Sequence, residues 1–284
     1  MKELLKKIQE TTKSLPNAQR QVAQYVLLNY DKIPFITISN MSKEIGVSDK
    51  TVVNFCTMLG FDSFTGFKNK FTKHVQSELA GYNNFETRIN TIDENDAFNQ
   101  IIDLEKSNIE KTLNLFINRQ NFEPFIDMLD SASNIYIYGL RSSSILADYL
   151  SQTLRVQGYN IITNSLHEYF IDQLYTIKPN DLFIVFTFSK YTKKSIKALK
   201  YISEKKIPSV AFTDSTLSPA YILSDLSFVC ETKSYIVHAS YVGVFSLINA
   251  IITETSLRHK KRTKKLLDEL GETLDYFDMF TESN

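Results

Sequence analysis

Two hydroxyl-rich loops hold the residues whose types and spacing best suit the binding of an anion. Gly139-Leu-Arg-Ser-Ser-Ser144 follows a short β-rich run and precedes a helical pattern, and Thr187-Phe-Ser-Lys-Tyr-Thr192 has the same setting. Such a loop directs backbone N–H groups and the positive end of a helix dipole at its ligand, and the hydroxyl groups add uncharged donors. In an open parallel sheet, ligands bind beyond the carboxyl ends of the strands, where these loops lie. The loops therefore predict a phosphate site, although Ser142 and Ser195 also suit a purely structural role as helix N-caps.

Residues that would support catalysis or metal binding are few and scattered. The two cysteines and four histidines lack the spacing of a disulfide framework or a metal site. Neither G-x-G-x-x-G nor G-K-[ST] occurs, which excludes the Rossmann and P-loop signatures. Proton-transfer catalysis needs a general base, and Glu168 and Glu231 are the only carboxylates that we nominate for that role. We therefore expect no catalytic residue, no metal and no cofactor.

The charge of the chain is unevenly distributed. The whole chain is neutral, with 32 basic and 32 acidic residues. Residues 1–78 carry eleven Lys/Arg against seven Asp/Glu, a net charge of +4, whereas 79–120 carry four against seven and 121–284 carry seventeen against eighteen. A basic excess confined to one N-terminal module is a modest indication of contact with nucleic-acid phosphates.

The centre of the N-terminal module has the pattern of a helix-turn-helix. A short helix over about 38–45 precedes Gly46-Val47, and Ser48 suits the N-cap of a second helix that ends at about Leu59. Gly60 then supplies the C-terminal stop. In this motif the second helix enters the major groove with its first turns facing base edges. Spacing alone is weak evidence, because many small helical bundles contain two helices joined by a glycine turn.

The two faces of the second helix have different expected roles. Val52, Phe55 and Leu59 are expected to pack in the core of the bundle. The candidates for DNA contact lie on the other face and on neighbouring helices: Ser48, Asp49, Lys50, Thr51, Asn54, Lys43 and Lys68.

The length and the hydropathy pattern predict two domains of different class. With 284 residues, 43% of them apolar, the chain can form about two domains with cores of their own. After a connecting helix over about 97–117, five β-rich runs alternate with helical patterns, namely 135–138, 159–162, 182–186, 209–212 and 226–229. This alternation predicts a five-stranded parallel sheet covered by helices on both faces. We expect an N-terminal helical bundle over 1–78, a linker with a connecting helix over 79–120, and a three-layer α/β/α domain over 121–284.

The helix-turn-helix region contains many residues at fixed spacing. The run Gly-Val-Ser-x-x-Thr-Val-x-x-Phe-x-x-x-Leu-Gly-Phe extends from Gly46 to Phe61. It resembles the helix-turn-helix of the ribose-phosphate-isomerase-regulator (RpiR) family of bacterial transcription factors. The chain departs from that family at Asn54, where Arg is usual, and at Thr57 and Met58, where basic residues are usual. Asn can read adenine through two hydrogen bonds but carries no charge for phosphate, so the departure changes the expected readout of the operator.

The second module contains the Gly-x-x-Ser-Ser loop that begins at Gly139, the pair Ser189 and Thr192, and Thr213-Asp214 after the fourth β-rich run. It resembles the sugar isomerase (SIS) domain, a phosphosugar-binding fold. The resemblance implies that hydroxyl groups of both loops contact the phosphate and that His167 lies where a sugar contact could arise. The implied phosphosugar-binding candidates are Arg141, Ser142, Ser143, Ser144, Thr187, Ser189, Lys190, Thr192 and His167. Gly is usual in the enzyme-like SIS pattern where this chain has Arg141 and Lys190, so each loop gains a cation.

The order helix-turn-helix then SIS implies a sequence-specific DNA-binding transcriptional regulator of sugar metabolism, controlled by a phosphosugar and not itself an enzyme. Two alternatives stay open: a sugar-phosphate isomerase, and a regulator whose SIS domain only dimerises. The expected partners are a double-stranded DNA operator, a phosphosugar effector and a second or further copy of the chain, as a dimer or tetramer. The longest uncharged stretch near the C-terminus, residues 239–253, is too short to span a bilayer, so we expect no membrane association and a cytoplasmic location.

Overall fold

The computed structural model describes residues 2–12, 14–30, 33–79, 89–163, 170–236 and 238–279. The chain divides into two compact units. The first comprises Met1–Ile101 with Thr216–Ile222 and Ser234–Ala239, and the second comprises Ile102–Ser215 with Leu223–Lys233 and Ser240–Asn284.

The helices of the first unit enclose one apolar core. They are α1 (Lys2–Thr12), α2 (Asn17–Leu28), α3 (Ile38–Ile45), α4 (Asp49–Met58) and α5 (Phe64–Leu79), with a 3-10 turn at Ile33–Phe35. Val52, Phe55 and Leu59 are buried, as the sequence predicted, and Phe67 and Phe71 of α5 are fully buried with them. The ring of Phe67 makes edge-on contact with that of Phe55, with centroids 6.2 Å apart. The helical N-terminal bundle is confirmed.

From Ala97 onward the chain alternates helices and strands. These elements belong to the second unit, except for the start of the first helix and nearly all of the short helix Pro219–Leu223, which belong to the first unit. The elements are α6 (Ala97–Asn114), α7 (Phe116–Ser131), β1 (Ile135–Gly139), α8 (Ser144–Val156), β2 (Ile161–Thr163), α9 (Phe170–Leu174), β3 (Leu182–Phe186), α10 (Lys193–Glu204), β4 (Ser209–Thr213), α11 (Pro219–Leu223), β5 (Leu226–Val229), α12 (Val242–Arg258) and α13 (Lys260–Tyr276). The Arg141–Ser143 segment forms a 3-10 turn between β1 and α8.

The five strands form one parallel sheet in the order β2-β1-β3-β4-β5. Every residue of β1, β3, β4 and β5 is buried, as expected for strands that are covered on both faces. Phe186, Phe212 and Phe228 stack across β3, β4 and β5, with successive ring centroids 4.5 and 4.9 Å apart. The predicted α/β domain with a five-stranded parallel sheet is confirmed.

The connecting helix is shorter than the sequence predicted. It ends at Asn114 instead of at about 117, and a further helix, α7, begins at Phe116. The side chain of Asn118 explains the break, because its Nδ2 donates to the carbonyl of Thr112 (2.8 Å) and of Val229 (2.7 Å), and its Oδ1 accepts from the Val229 N–H (2.8 Å). Asn118 thus satisfies backbone groups of both a helix end and the edge strand β5, a tertiary role that no local pattern reveals.

Candidate DNA-binding and effector sites

A tight turn joins α3 to α4, and both helices have a side-chain N-cap, of which the sequence predicted Ser48 but not Thr37. Thr37 accepts a hydrogen bond from the Asn40 N–H (3.2 Å) and caps α3. Ser48 accepts one from the Thr51 N–H (3.2 Å) and caps α4. Gly46 between the helices has a φ of +82°, a left-handed conformation that glycine adopts without steric penalty.

Asp49 fastens the two helices of the motif to each other. Its carboxylate accepts hydrogen bonds from the hydroxyl groups of Ser42 and Ser39, both on α3. These bonds, that from Ser42 above all, hold the pKa of the Asp49 carboxyl below its ordinary value. Asp49 therefore orients α4 relative to α3, and its direct contact with DNA stays a prediction, as it does for Ser48 and Thr51, whose hydroxyl oxygens lie 2.9 Å apart.

The exposed face of α4 is a stripe of five residues at helical spacing. Lys50, Val53, Asn54, Thr57 and Met58 are all exposed, and they occupy the positions i, i+3, i+4, i+7 and i+8. Lys50 and Asn54 were candidates from the sequence, whereas Val53, Thr57 and Met58 were not. The helical period would have found them. Two of these side chains are apolar, and apolar groups on a recognition helix suit contact with thymine methyl groups.

The two candidate phosphate lysines outside α4 differ in environment. Lys43 is exposed on α3. Lys68 on α5 is half-buried, and its Nζ donates to the carbonyl of Ile36 at 3.2 Å. Lys43 is thus accessible from solvent, whereas the ammonium group of Lys68 also holds the segment that precedes α3.

The strand order places both hydroxyl-rich loops at one point of the sheet edge. The chain passes from β1 to β2 on one side and returns to β3 on the other side of β1. In doubly wound sheets, ligands bind where the strand order reverses, beyond the carboxyl ends of the strands. Gly139, the last residue of β1, is paired with Phe186, the last residue of β3. The two loops therefore leave the sheet side by side at its topological switch point.

The first loop is closely folded on itself. A Cβ on Gly139 would overlap the carbonyl oxygen of Ser143 and would lie 2.7 Å from its carbonyl carbon. The Ser144 hydroxyl donates to the carbonyl of Arg141 at 2.8 Å. Ser143 is buried, while Arg141 and Ser142 are exposed. Glycine at 139 is therefore a steric requirement of this loop.

The second loop is anchored by Asp214, which follows β4. The Ser189 N–H donates to one carboxylate oxygen of Asp214 (3.1 Å), and the Tyr191 hydroxyl donates to the other (2.8 Å). The Ser189 N–H therefore already has an anionic acceptor, so the side-chain hydroxyl is the donor that this residue offers to a ligand. In the sequence, Asp214 belongs to the SIS resemblance, and no local pattern indicates its contacts with the second loop.

The two threonines of the second loop have structural contacts as well. Thr187 is buried, and its N–H donates to the carbonyl of Phe212 (3.0 Å). Thr192 caps α10, since its hydroxyl oxygen accepts from the Ser195 N–H (3.3 Å) and lies 2.6 Å from the Ser195 hydroxyl. The N-cap of α10 is therefore Thr192, and Ser195 lies in its first turn.

Tyr241, which no sequence pattern indicated, contacts both loops. Its hydroxyl lies 3.0 Å from the Ser142 hydroxyl, and its ring lies 5.2 Å, centroid to centroid, from that of Phe188 in the second loop. Tyr241 immediately precedes α12. Three segments thus meet beside the switch point: the loop after β1, the loop after β3 and the start of α12.

Arg141 and Lys190 both have a left-handed backbone, with φ of +57° and +68°. These are the two positions where glycine is usual in the enzyme-like SIS pattern. A side chain in this region of φ and ψ costs free energy relative to glycine, and such strain is concentrated at functional sites. Both side chains are exposed. Each loop thus holds a cationic residue in a backbone conformation that glycine adopts without steric penalty.

The remaining candidates concern catalysis and metal binding. His167 and Glu168 lie within 164–169, outside the described residues. Glu231 lies after β5, two strands from β3, and its N–H donates to the Thr112 hydroxyl (2.9 Å). Within the described part of the chain, no group of three or more His, Cys, Asp or Glu is placed to hold a metal ion. Nor does any described helix combine the length and apolar character needed to cross a bilayer.

Comparison with known families identifies both units. Residues 2–78 match the helix-turn-helix domain of the rpiR family, and residues 128–253 match the SIS domain. An HTH-type transcriptional regulator of Haemophilus influenzae is 24% identical over 264 residues, which cover 88% of this chain and 90% of that protein. The HTH-type transcriptional regulator HexR of Pseudomonas aeruginosa is 22% identical over 280 residues, which cover 94% and 96% of the two chains.

A solved structure extends the similarity to the fold. The structure of Vibrio vulnificus NanR complexed with ManNAc-6P is similar to this one, with a TM-score of 0.59 and 21% sequence identity. The alignment covers 96% of this chain and 98% of the NanR chain. At this identity the match establishes the fold. With the two domain matches, it places the chain in the class of regulators that join an N-terminal helix-turn-helix domain to a C-terminal SIS domain. Within that class the chain belongs to the RpiR family of transcriptional regulators.

Proposed function

We propose that the protein binds an operator sequence-specifically, that it regulates sugar metabolism, and that a phosphosugar bound in its SIS domain controls it. The observation that carries the proposal is the meeting of the two hydroxyl-rich loops and Tyr241 at the β1/β3 switch point. Ser142 and Ser189 are exposed there, so their hydroxyl groups are accessible donors. The cations of Arg141 and Lys190 would add charge-assisted bonds to a phosphate.

The proposed ligand contacts are those expected from the sequence, with Tyr241 added. They comprise Arg141, Ser142, Ser143, Ser144, Thr187, Ser189, Lys190, Thr192 and His167. NanR, which shares the fold, is complexed with ManNAc-6P, and this supports a phosphosugar as the effector class. We propose no catalytic role, since the relatives are named as transcriptional regulators and Glu231 lies two strands from the second loop.

The proposed DNA contacts lie on the first unit. Lys50 and Asn54 on α4 would face base edges or phosphates, and Lys43 would meet the phosphate backbone. We propose that the protein binds a palindromic site as a homodimer or tetramer, with half-sites about 34–36 Å apart. In this proposal residues 1–78 bind DNA, residues 79–120 connect the domains, and residues 121–284 bind the phosphosugar. The protein would act in the cytoplasm.

A melting experiment tests the effector. A phosphosugar present at about 100 times its dissociation constant should stabilise the protein by about 2.7 kcal/mol, which is a shift of several degrees. A panel of sugar phosphates that includes ManNAc-6P is the appropriate probe. Ser143→Ala and Ser189→Ala should abolish most of the shift, whereas Ser203→Ala, at an exposed position near the far end of α10, should retain it.

The outcomes separate the three functions that the sequence left open. A shift without turnover supports the effector role. Conversion of an aldose phosphate into a ketose phosphate would instead establish an isomerase. Normal DNA binding with no shift for any member of the panel would favour a SIS domain that only dimerises.

A further inference from the structure

The C-terminal helix α13 changes environment along its length. In its first half, Thr263 is buried, and the Arg262 guanidinium lies 4.6 Å above the ring of Tyr159. Leu266 packs so closely on Gly158 that a Cβ there would lie 2.7 Å from its Cδ1. The first half of α13 is thus held by the end of α8 and the residues that follow it.

Most of the second half is exposed. Leu267 and Leu270 are 49% and 37% exposed, and Phe277, just past the helix, is 67% exposed. An isolated helix of this length, about ten residues, is only marginally stable in water, and Gly271 within it costs about a further 1 kcal/mol relative to Ala. Within the described residues, therefore, the chain itself supplies little packing to keep this half of α13 helical.

Three leucines of α13, with Thr263 before them and Phe277 just after the helix, follow a heptad-like pattern. Thr263, Leu267, Leu270, Leu274 and Phe277 are separated by four, three, four and three residues. A 3-4 spacing forms one stripe along a helix and is the seam by which two helices pair side by side. The stripe begins beside a groove of about 410 Å³ at the α12–α13 corner, which is lined in part by Leu257, Lys260, Lys264 and Leu267.

The charges of α13 are separated along its axis. The first half carries basic residues, namely Lys260, Lys261, Arg262, Lys264 and Lys265. The second half and the residues after it carry acidic ones, namely Asp268, Glu269, Glu272, Asp275 and Asp278. A helix that is positive at one end and negative at the other attracts a second copy of itself in antiparallel order and repels it in parallel order.

We propose that α13 pairs antiparallel with α13 of a second copy of this chain, through the stripe from Thr263 to Phe277. One register satisfies the whole stripe: Leu267 faces Leu270 of the second copy, and Leu274 and Phe277 reach the groove of the second copy beside its buried Thr263 and its Lys260. The overlap is about eighteen residues, or about 27 Å at 1.5 Å per residue. Two-fold symmetry repeats every contact, as an interface between identical surfaces requires. The proposal rests on the homo-oligomer proposed above and locates one of its interfaces.

Crosslinking tests the pairing directly. In this register the two Gly271 positions lie on the same flank of the helix pair, offset by about 7.5 Å along the axis, and the structure has open space where the Cβ would stand. Gly271→Cys should therefore be joined to a dimer by a short bis-maleimide. Glu272→Cys, one residue further round the helix, points away and should give at least a several-fold lower yield. The natural thiols of Cys56 and Cys230 are buried, which raises the pKa of both and keeps the background low.

Charge reversal tests the antiparallel order. The register brings Lys264 level with Thr273 of the second copy, within side-chain reach of its Glu272. Lys264→Glu in the Gly271→Cys chain should lower the crosslinking yield several-fold, and the further change Glu272→Lys should restore it. No recovery, or equal yields from Gly271→Cys and Glu272→Cys, would overturn the proposal. Light scattering at micromolar concentration keeps the two claims apart: a monomer overturns the oligomer itself, whereas an oligomer without this crosslink overturns only the role of α13.

Discussion

At positions 141 and 190, glycine should stabilise the protein more than alanine does. At most positions alanine is the more stabilising of the two. Both native residues have positive φ, where an L side chain costs about 1–2 kcal/mol. Glycine is free of that cost but loses about 0.5–1 kcal/mol more in backbone entropy on folding. The difference predicts that Arg141→Gly is more stable than Arg141→Ala by about 0.5–1 kcal/mol, and likewise at Lys190. Comparison of Gly with Ala cancels the contacts of the native side chains.

Urea unfolding and melting of the four variants measure the difference, for which a change in Tm of about 1–4 °C is expected. Lys206, with a φ of +56° after α10, is a control in the same conformation but outside the loops. Lys197, exposed within α10, should show the opposite order, with Ala more stable by about 1 kcal/mol. If Gly and Ala were equal at 141 and 190 but differed as expected at 206, the strain would not be a property of the two loops.

Three further predictions concern DNA contact, packing and pH. Lys50→Ala should weaken binding to all DNA sequences and lower the salt slope by about one, whereas Asn54→Ala should cost about 1–3 kcal/mol at a single operator position. Fluorescence anisotropy with mutated operators distinguishes them, and equal, sequence-independent losses would refute the assignment of Asn54. Asn118→Leu removes three buried hydrogen bonds, so urea unfolding should show a loss of about 3 kcal/mol or more, and a loss below about 1 kcal/mol would contradict its role at β5. Folding lowers the pKa of Asp49 from 3.8, so the ionised carboxylate stabilises the protein fully above pH 3.8. This stabilisation is lost as the pH falls through the lowered pKa. Asp49→Asn should therefore reduce the acid sensitivity of α3 and α4, measured by circular dichroism.

Several features of the protein follow from local sequence alone. Ser48 caps α4 and Gly46 takes a left-handed conformation because capping and turn geometry depend on residues within one helical turn. The burial of Val52 and Phe55 follows from helical period, and alternating β-rich and helical runs already imply a parallel sheet. The two domain classes were therefore readable without a structure, since each rests on short-range periodicity.

The composition of the effector site was only partly readable. The hydroxyl-rich loops were found because both follow a strand and precede a helix, and parallel strands end at one edge of a sheet. Asp214 and Tyr241 were not assigned their roles, since they lie 25 and 99 residues from the loop residues that they contact. Contacts at such separations depend on strand order, and strand order leaves no periodic signal in the chain.

Only the tertiary structure showed which backbone and side-chain groups already form hydrogen bonds within the protein. Asp49 was grouped with the DNA contacts by its place on α4, yet its carboxylate accepts hydrogen bonds from Ser39 and Ser42. In the sequence, Asn118 is simply a polar residue of a helix. In the structure, its side chain hydrogen-bonds the backbone N–H and carbonyl of Val229 in the edge strand β5, 111 residues further along the chain. Helix and strand type are set by interactions among near neighbours, which the sequence displays directly. The partner of a given polar atom is set by the packing of whole elements, and only the folded chain brings those atoms together.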